Sequence, residues 1–299
     1  MSSFVILVDS SCDLSPEYMS EHGIEMIPIQ YDLDGVEHSQ GYWQEISGED
    51  FYNALRNGSV AKTSQTNPDT YTKAFMKYAK QGKDVLFLVL SSGLSASYLN
   101  THIAMQEAKE EYPECKIFPI DTLSATCGTG LLSMLAVKKR AEGFSAEETA
   151  GFLEKKKHSC IGLFTVDDLM YLHRGGRLSK LSAVAGSVLG IKPLLNLSPE
   201  GTLALKDKAR NRKAALQLLI SQTLRSIKQD TVLDTVVISH SDCKADAELL
   251  AEMLREAVKV NDVIILMMGP VIGAHLGPSA ITMIFEADMM RTEYESKFY

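Results

Sequence analysis

Small hydroxyl residues follow apolar runs in the first half of the sequence, where the strands of a sheet would end. They lie in four segments: Asp9–Asp13, Thr63–Gln65, Ser91–Ser95 and Asp121–Thr122. In an open parallel sheet, ligands bind in the crevice outside the carboxyl ends of the strands. Hydroxyls gathered there can donate hydrogen bonds to one bound molecule. The pattern therefore predicts a polar site at one edge of a sheet.

The segment Ser91–Ser95 runs from an apolar strand through a glycine-containing turn into a helix. This order would bring backbone N–H groups and several hydroxyls to a helix N-terminus. Such a terminus favours an anion, because the N–H groups are unpaired and the helix dipole is positive there. Capping of the helix by Ser95, with no ligand involved, is the alternative that the residues leave open.

Ser95 could also be the nucleophile of a serine hydrolase. The segment Gly93–Ser97 lacks the second glycine of the G-x-S-x-G motif, so the nucleophile elbow is incomplete. The histidines available as bases and the carboxylates available to orient them are His240, His275, Asp9 and Asp121. The hydrolase is therefore kept as an alternative function.

Other enzyme signatures are absent from the sequence. The first apolar run is not followed by G-x-G-x-x-G, and no G-x-x-x-x-G-K-[ST] occurs. The seven histidines are scattered and do not form H-E-x-x-H or a related metal spacing. We expect neither a nucleotide cofactor nor a metal.

Two glycine-rich segments frame candidate ligand contacts. In Gly269–Pro278, glycines and prolines flank His275. This composition indicates either tight turns that orient the histidine or a backbone that lies close to a ligand. A bulged loop with a hydrogen-bonded histidine is the alternative. Tyr171–Ser179 is typical of a helix end, with Arg174 and Arg177 either free to meet an anion or simply solvated.

The segment Lys206–Lys213 holds five basic residues in eight, although the whole chain has a net charge of −8. Such a local reversal of charge could dock an acidic partner, and a solvated basic face is the alternative. The negative chain as a whole has no bulk attraction for polyphosphate, which argues against nucleic-acid binding.

Composition and length indicate a globular protein of two domains. The chain has 299 residues, of which 45% are hydrophobic and 23% charged. The five cysteines form no C-x-x-C pair, which predicts buried free thiols in a reducing compartment. No signal-peptide pattern is seen, and the apolar run Val263–Met268 is too short to span a bilayer. We expect a soluble cytoplasmic protein with no stable membrane insertion.

The first half alternates strands with helices, which predicts a parallel sheet over residues 1–158. The expected strands are Phe4–Val8, Ile24–Tyr31, Val85–Leu90 and Lys116–Ile120, with a hairpin turn at Leu33–Val36. The expected helices are Pro16–His22, Glu49–Asn57, Asp69–Lys80, Ala96–Glu111, Ala125–Glu142 and Ser145–His158.

Residues 159–299 combine a hairpin with further strands and helices. This pattern predicts a second α/β domain with a mixed or antiparallel sheet. The expected strands are Cys160–Val166, Leu194–Leu197, Thr202–Lys206, Thr235–Ser239, Asp262–Met267 and Ala280–Glu286. The expected helices are Asp167–His173, Leu181–Leu189, Lys213–Ile227 and Ala245–Val258. A hairpin turn at Ser198–Gly201 joins two of the strands.

Taken together, eight segments in this order resemble the DegV family of bacterial fatty-acid-binding proteins. The segments are Val8–Ser10, Thr63–Gln65, Leu90–Ser95 with Tyr98, Asp121–Thr122, Leu172–Ser179, Gly190–Pro193, the basic stretch ending in Arg210–Lys213, and Gly269–His275 with Gly277–Pro278. No single segment is diagnostic, but the ordered series covers nearly the whole chain.

The resemblance implies two α/β domains with a long-chain fatty acid bound between them. Family members hold the carboxylate with a threonine and a serine, which match Thr63 and Ser95, and have a histidine near the head group, which matches His275. Ser92 and Gly93, in the loop that leads to Ser95, complete the expected fatty-acid-binding residues.

Some members of the family are lipid-binding subunits of a fatty acid kinase. They present the acyl carboxylate to a separate ATP-using subunit and are not enzymes by themselves. We expect Arg210 and Arg212, from the basic stretch, and Arg174 to dock such a subunit, because they are positive residues on a negatively charged chain.

The sequence departs from the family pattern at three places. Thr66 and Asn67 intervene before Pro68, Ala96 stands where glycine is common, and Ser279 replaces a final glycine. These departures bear on loop shape and acyl preference more than on the carboxylate site.

Overall fold

The computed structural model describes residues 4–39, 41, 43–178 and 191–296. Within these ranges the strands are β1 (Val5–Asp9), β2 (Ile24–Ile27), β3 (Tyr31–Leu33), β4 (Val36–His38), β5 (Ala61–Thr63), β6 (Val85–Val89), β7 (Ile117–Asp121), β8 (Cys160–Thr165), β9 (Lys192–Leu197), β10 (Leu203–Ala209), β11 (Val232–His240), β12 (Lys259–Met267) and β13 (Ile281–Glu286).

The helices are α1 (Pro16–Glu21), α2 (Gly48–Arg56), α3 (Pro68–Ala79), α4 (Ser97–Glu111), α5 (Cys127–Ala141), α6 (Ala146–Lys156), α7 (Met170–Arg174), α8 (Arg212–Ser226), α9 (Lys244–Ala257), α10 (Pro270–Leu276) and α11 (Arg291–Ser296). The helix expected over Leu181–Leu189 lies outside the described residues.

The strands of the described chain form three sheets. A four-stranded sheet has the order β2-β1-β6-β7 and is parallel throughout. A six-stranded sheet has the order β10-β9-β8-β13-β11-β12, in which the pair β11–β12 is parallel and the other pairs are antiparallel. A small antiparallel sheet has the order β4-β3-β5. The predicted α/β fold, with a parallel sheet followed by a mixed one, is confirmed.

The parallel sheet is covered by helices on both faces, which explains why β6 is apolar at every position. Val85, Phe87 and Val89 pack in one core cluster with side chains of α3 and α4. Leu86 and Leu88 pack in another with side chains of α5 and α6. All five residues of β6 are buried. A strand buried on both faces needs this continuous apolar run instead of an alternating one.

Helix α5 joins the two large sheets. Leu131 and Leu132 of this helix lie in the same core cluster as Val8 of the parallel sheet and as Val237 and Ile284 of the mixed sheet. The predicted boundary near residue 158 falls between the end of α6 and the start of β8. The apolar core continues across this boundary. The division into one domain of residues 1–158 and another of residues 159–299 therefore stays a prediction.

Several segments differ from the sequence expectations. The single strand predicted over Ile24–Tyr31 is divided into β2 and β3, which belong to different sheets. Pro28 lies between them and has no N–H to donate to a continuous ladder. Strand β5 was not expected, because three residues carry too little periodicity to be recognised. Helix α11 was also not expected.

The hairpin turn at Leu33–Val36 is confirmed. It joins the antiparallel strands β3 and β4, with Leu33 opposite Val36. Its two central residues, Asp34 and Gly35, have φ of 51° and 88°. Positive φ at both central positions is the mark of a type I′ turn, which matches the twist of the flanking strands.

The carboxylate of Asp13 connects the parallel sheet to the second half of the chain. Asp13 follows β1 and is 1% exposed. Its Oδ1 accepts a hydrogen bond from the backbone N–H of Gly269 at 2.8 Å, and its Oδ2 accepts one from the Ser239 hydroxyl at 2.7 Å. Burial raises the pKa of Asp13 to about 6, and these hydrogen bonds oppose the rise.

Replacing Asp13 should therefore destabilise the fold. In Asp13→Ala the N–H of Gly269 and the hydroxyl of Ser239 lose their acceptor while staying buried, so we expect the free energy of unfolding to fall by about 2–4 kcal/mol. Urea denaturation at pH 7.5 measures this. The matched control is Asp230→Ala, at an exposed aspartate, which should change stability by less than about 0.5 kcal/mol. Equal stability of the two variants would contradict the role of Asp13.

Candidate functional site

A cavity lies between the parallel and the mixed sheet. It encloses about 960 Å³ of space free of protein atoms, including its open mouth. Most of its lining is apolar and comes from distant parts of the chain, for example Ile29, Leu90, Phe164, Leu172, Ile272 and Ile284. This lining suits a small molecule with a large apolar part.

Thr63 and His275 form a polar pair on the cavity wall. Their side chains meet with a Thr63 Oγ1 to His275 Nε2 distance of 2.8 Å, although 212 positions separate them in the chain. Both residues line the cavity. Burial, and then the nearby charge of Arg177, lower the pKa of His275 to about 4, so the imidazole is neutral at pH 7. The sequence predicted both residues, and the structure brings them into contact.

Helix α10 positions His275. The Gly-Pro-rich segment was expected to form tight turns or a bulged loop, and instead it forms this short helix, with Pro270 in its first turn. Proline is favoured there because its missing N–H would have no partner in the helix. The Tyr52 hydroxyl donates to the Met268 carbonyl at 2.8 Å, and Asp13 accepts from the N–H of Gly269. These contacts hold the start of α10, so His275 in its last turn faces Thr63.

Ser95 lines the same cavity as Thr63 and His275. Its Oγ lies 2.9 Å from Ser97 Oγ and accepts a hydrogen bond from the Ser97 N–H at 3.2 Å. Helix α4 begins at Ser97, and its N-cap residue, Ala96, makes no side-chain cap bond. Ser95 therefore stabilises the turn before the helix with one lone pair and keeps its hydroxyl at the cavity surface.

Ser92 and Gly93 do not line the cavity, unlike the other expected fatty-acid-binding residues. Ser92 is exposed, and its N–H donates to Asp121 Oδ1 at 3.1 Å. A Cβ on Gly93 would lie 2.6 Å from the Gly201 carbonyl oxygen. The glycine therefore lets the β9–β10 hairpin approach the loop, and Ser91 Oγ donates to the same Gly201 oxygen at 2.8 Å. The two residues shape the loop that carries Ser95.

Arg177 is a cavity residue and is tethered to the protein. The sequence left it either free to meet an anion or solvated. Its Nε donates to the Leu94 carbonyl at 3.1 Å and its Nη1 to the Gly175 carbonyl at 2.5 Å. Burial lowers the pKa of Arg177 from its ordinary value. The guanidinium of Arg177 is therefore part of the cavity wall, and it lies close enough to His275 to lower the pKa of that histidine.

The basic stretch Lys206–Lys213 is not one exposed face. Lys206 is a buried lysine whose Nζ pairs with Glu295 at 2.8 Å. Arg212 pairs with Asp246 at 2.9 Å and with Asp167 at 3.5 Å. Of the arginines expected to dock a partner, Arg174 and Arg210 are exposed, and Arg212 is held by these ion pairs. The exposed part of the predicted docking surface is therefore smaller than the sequence indicated.

The arrangement of a serine hydrolase is not found around Ser95. Among the described residues Ser95 has no hydrogen bond to a histidine, since His275 meets Thr63 and the Nδ1 of His240 accepts from the Cys243 N–H. Asp9 accepts from Leu90 and from Ser11 instead of orienting an imidazole. The hydrolase alternative therefore has no support in this geometry.

Sequence reasoning missed a second polar part of the cavity wall. Ser124, Thr126 and Cys127, around the start of α5, line the cavity together with Thr282 of β13. Only Asp121–Thr122 had been singled out in this region. A hydroxyl at a helix start or inside an apolar strand has no distinctive sequence signal, because such residues commonly satisfy backbone groups.

The other chemical features of the described chain are limited. All five cysteines are free thiols, and four of them are buried, as predicted. In the described ranges, no group of three or more His, Cys, Asp or Glu residues could hold a metal ion. None of the described helices is both long and apolar enough to cross a membrane.

Comparison with known proteins identifies similar sequences and folds. The sequence model of the DegV family of uncharacterised proteins matches residues 3–288. A DegV domain-containing protein of Clostridium perfringens is 38% identical over 288 residues, which cover 96% of this chain and 99% of the relative.

Solved structures have the same fold. A Thermotoga maritima protein described as having a fatty acid binding function is 29% identical, with a TM-score of 0.84 over 96% of this chain and 100% of its own. The fatty acid kinase B3 protein of Streptococcus pneumoniae, solved with linoleic acid, is 22% identical, with a TM-score of 0.83 over 96% and 100% of the two chains. At that identity the second similarity supports the fold alone.

The buried neutral His275 should make stability depend on pH. Its pKa of about 4 lies below the ordinary value of 6.5, so the unfolded chain takes up a proton first as the pH falls. Stability is then lost between about pH 6.5 and 4, by up to about 3 kcal/mol. In His275→Gln this loss should be absent.

The measurement is the difference in unfolding free energy between wild type and variant at several pH values. Asp13, with its raised pKa, contributes the opposite slope between about pH 4 and 6, and the difference removes that contribution. The control is the exposed His173→Gln, which should follow the wild type. Parallel profiles for wild type and His275→Gln would show that His275 is not held neutral.

Proposed function

This chain belongs to the DegV family, and on that premise we propose that it binds a long-chain fatty acid in the cavity between its sheets. The carboxylate lies at Thr63, Ser95 and His275, and the acyl chain occupies the apolar remainder of the cavity. One observation carries this proposal: an apolar cavity with a neutral threonine–histidine pair on its wall.

The energetics of the cavity favour an acyl chain. Each buried CH₂ group contributes about 0.8 kcal/mol, so a long chain gains on the order of 10 kcal/mol before the entropic cost of binding. Apolar walls can supply that energy only to a ligand with a long hydrocarbon part. The head group then needs a few hydrogen-bond donors to fix its orientation.

The polar pair is suited to a carboxylate. When the proton of His275 is on Nε2, that nitrogen donates to Thr63 Oγ1, and the threonine hydroxyl remains able to donate to the ligand. The hydroxyl of Ser95 is a second donor at the cavity surface. Arg177 adds a positive charge to the same wall, which lowers the cost of burying a carboxylate. The fatty acid binding function of the Thermotoga maritima relative also supports the assignment.

The protein acts as a carrier, not as an enzyme, in this proposal. Ser95 would need a base within hydrogen-bond reach to serve as a nucleophile, and no described histidine meets it. Donation of a hydrogen bond to a carboxylate requires no such base. No cofactor is needed, and a cytoplasmic location remains our expectation from the sequence.

A separate kinase subunit is the proposed partner. The motif series resembles proteins that present an acyl carboxylate to an ATP-using subunit. Arg174 and Arg210 are exposed and therefore available to an acidic surface. The guanidinium of Arg174 lies 5.6 Å from the centre of the Tyr171 ring, which limits its freedom. Arg210 is therefore the principal residue of the docking surface.

Fatty-acid affinity should depend on Ser95 and Thr63. A hydrogen bond to a charged acceptor contributes about 1.5–3 kcal/mol, so Ser95→Ala or Thr63→Ala should weaken stearic acid binding by roughly ten- to a hundredfold. The double variant should lose less than the sum, because both hydroxyls bind one head group. Calorimetric titration of lipid-free protein measures these affinities. Ser92→Ala, at the exposed serine of the same loop, is the matched control and should bind as the wild type does.

Two results would contradict the proposal that this protein is a fatty-acid carrier. One is a lipid-free protein that gains no thermal stability from any fatty acid, since a ligand of the folded state must raise stability. The other is covalent labelling of Ser95 by a fluorophosphonate, together with ester hydrolysis that disappears in Ser95→Ala. The second result would favour the hydrolase.

Kinase docking should depend on Arg210. Arg210→Glu should weaken formation of the complex with the kinase subunit and make it less sensitive to salt, because an attractive charge pair is removed. Fatty-acid affinity should not change, since Arg210 does not line the cavity. The control is Lys155→Glu, on the exposed side of α6. Equal complex formation by both variants, measured by titration at two salt concentrations, would show that Arg210 is not a docking residue.

A further inference from the structure

The polar part of the cavity wall that sequence reasoning missed has a composition unsuited to an unsubstituted acyl chain. We call Ser124, Thr126 and Thr282 the hydroxyl cluster; the three residues line the cavity and are at most 6% exposed. They share no hydrogen bond with Thr63, Ser95 or His275 among the described residues. A hydrocarbon chain offers these hydroxyls no partner.

Two members of the cluster satisfy each other. Thr126 Oγ1 lies 3.2 Å from Thr282 Oγ1, and Thr282 Oγ1 lies 3.1 Å from the sulfur of Cys127. The Thr282 hydroxyl is also 3.4 Å from the Ser239 carbonyl oxygen. These hydroxyls therefore have protein partners in the absence of a ligand.

Ser124 is different. The residue is fully buried, and its Oγ has no hydrogen-bond partner within the part of the chain that the structure describes. Its backbone is well held, because its carbonyl accepts from the Ser91 N–H at 2.9 Å. A buried hydroxyl without a partner is unfavourable and rare in proteins. Ser124 is among the residues that line the cavity, and its Oγ is closed off from the open space, so a ligand group reaches the hydroxyl once the side chain rotates about χ1.

A neighbouring glycine keeps room for this hydroxyl. A Cβ on Gly128 would lie 1.9 Å from Ser124 Oγ, so any larger residue would displace the oxygen. Gly128 lies in the first turn of α5, where glycine is a weak helix former. The local sequence therefore leaves room for the Ser124 oxygen beside the start of α5.

We propose that the cavity prefers an acyl chain that carries a hydroxyl group, which hydrogen-bonds to Ser124 beside Thr126 and Thr282. A hydroxyl can both donate and accept, so it satisfies the Ser124 oxygen while the rest of the chain stays in apolar surroundings. This inference rests on the proposed fatty-acid binding and names the class of acyl chain. Ser124 is then a specificity-determining residue.

Competition between two fatty acids tests the proposal. The protein is incubated with equal amounts of stearic acid and one monohydroxystearic acid, across a panel with the hydroxyl at positions along the chain. Native mass spectrometry then measures which ligand is bound, since the two differ by one oxygen atom. At least one hydroxylated isomer should exceed stearic acid by about three- to tenfold, the effect of one neutral hydrogen bond.

Two variants test whether Ser124 causes the preference for a hydroxylated acyl chain. Ser124→Ala should abolish the preference for the hydroxylated isomer over stearic acid. The matched control is Thr165→Val, because Thr165 also has a buried hydroxyl without a partner among the described residues and does not line the cavity. This control should keep the preference.

The competition on the wild-type protein is sufficient to overturn the proposal, even if Ser124→Ala does not fold. Retention of stearic acid equal to or better than that of every hydroxylated isomer would overturn the inference and leave the fatty-acid function standing. A preference that persists in Ser124→Ala would also overturn it. Failure of every fatty acid to bind would instead refute the proposed function itself.

Discussion

The buried carboxylate of Asp13 links the end of β1 in the parallel sheet to the mixed sheet and to helix α10. Asp13 is removed from water, so its charge must be compensated by hydrogen bonds, and its partners come from β11 and from the start of α10. Meeting that requirement draws the end of β1 against the mixed sheet. It also fixes the start of the helix that carries His275. The contact between His275 and Thr63 follows from this arrangement.

The cavity lies where loops that follow strands of the parallel sheet meet the mixed sheet and helix α10. Helix α5 contributes to one apolar cluster with both sheets, and the β9–β10 hairpin closes on the Ser91–Ser95 loop through the Gly201 carbonyl. The lining of the cavity between these contacts is mostly apolar. The loop and helix ends that close the space also carry the polar residues of its wall.

Charge is distributed differently inside the cavity and on the outer surface. Inside, the histidine is neutral because burial disfavours its charged form, and Arg177 is tethered by two carbonyl oxygens. On the basic stretch, Lys206 and Arg212 form ion pairs within the chain, and Arg210 remains exposed. A cavity of this kind can hold one carboxylate in a defined orientation, while an exposed arginine can act in docking without disturbing it.

The sequence by itself determined the α/β class and most of the strands and helices, and it singled out Thr63, Ser95 and His275, which line the cavity. These follow from local causes, such as the apolar run of β6 and the capping and turn residues at element ends, or from motifs with a characteristic order. Only the tertiary structure decided which of these residues meet. Thr63 and His275 are 212 positions apart, and no periodicity encodes their contact. Gly93 resembled a ligand-binding glycine and instead accommodates a hairpin, and Arg212 resembled a free cation and is ion-paired. Ser124 had no signal at all, because whether a hydroxyl is buried without a partner depends on everything packed around it.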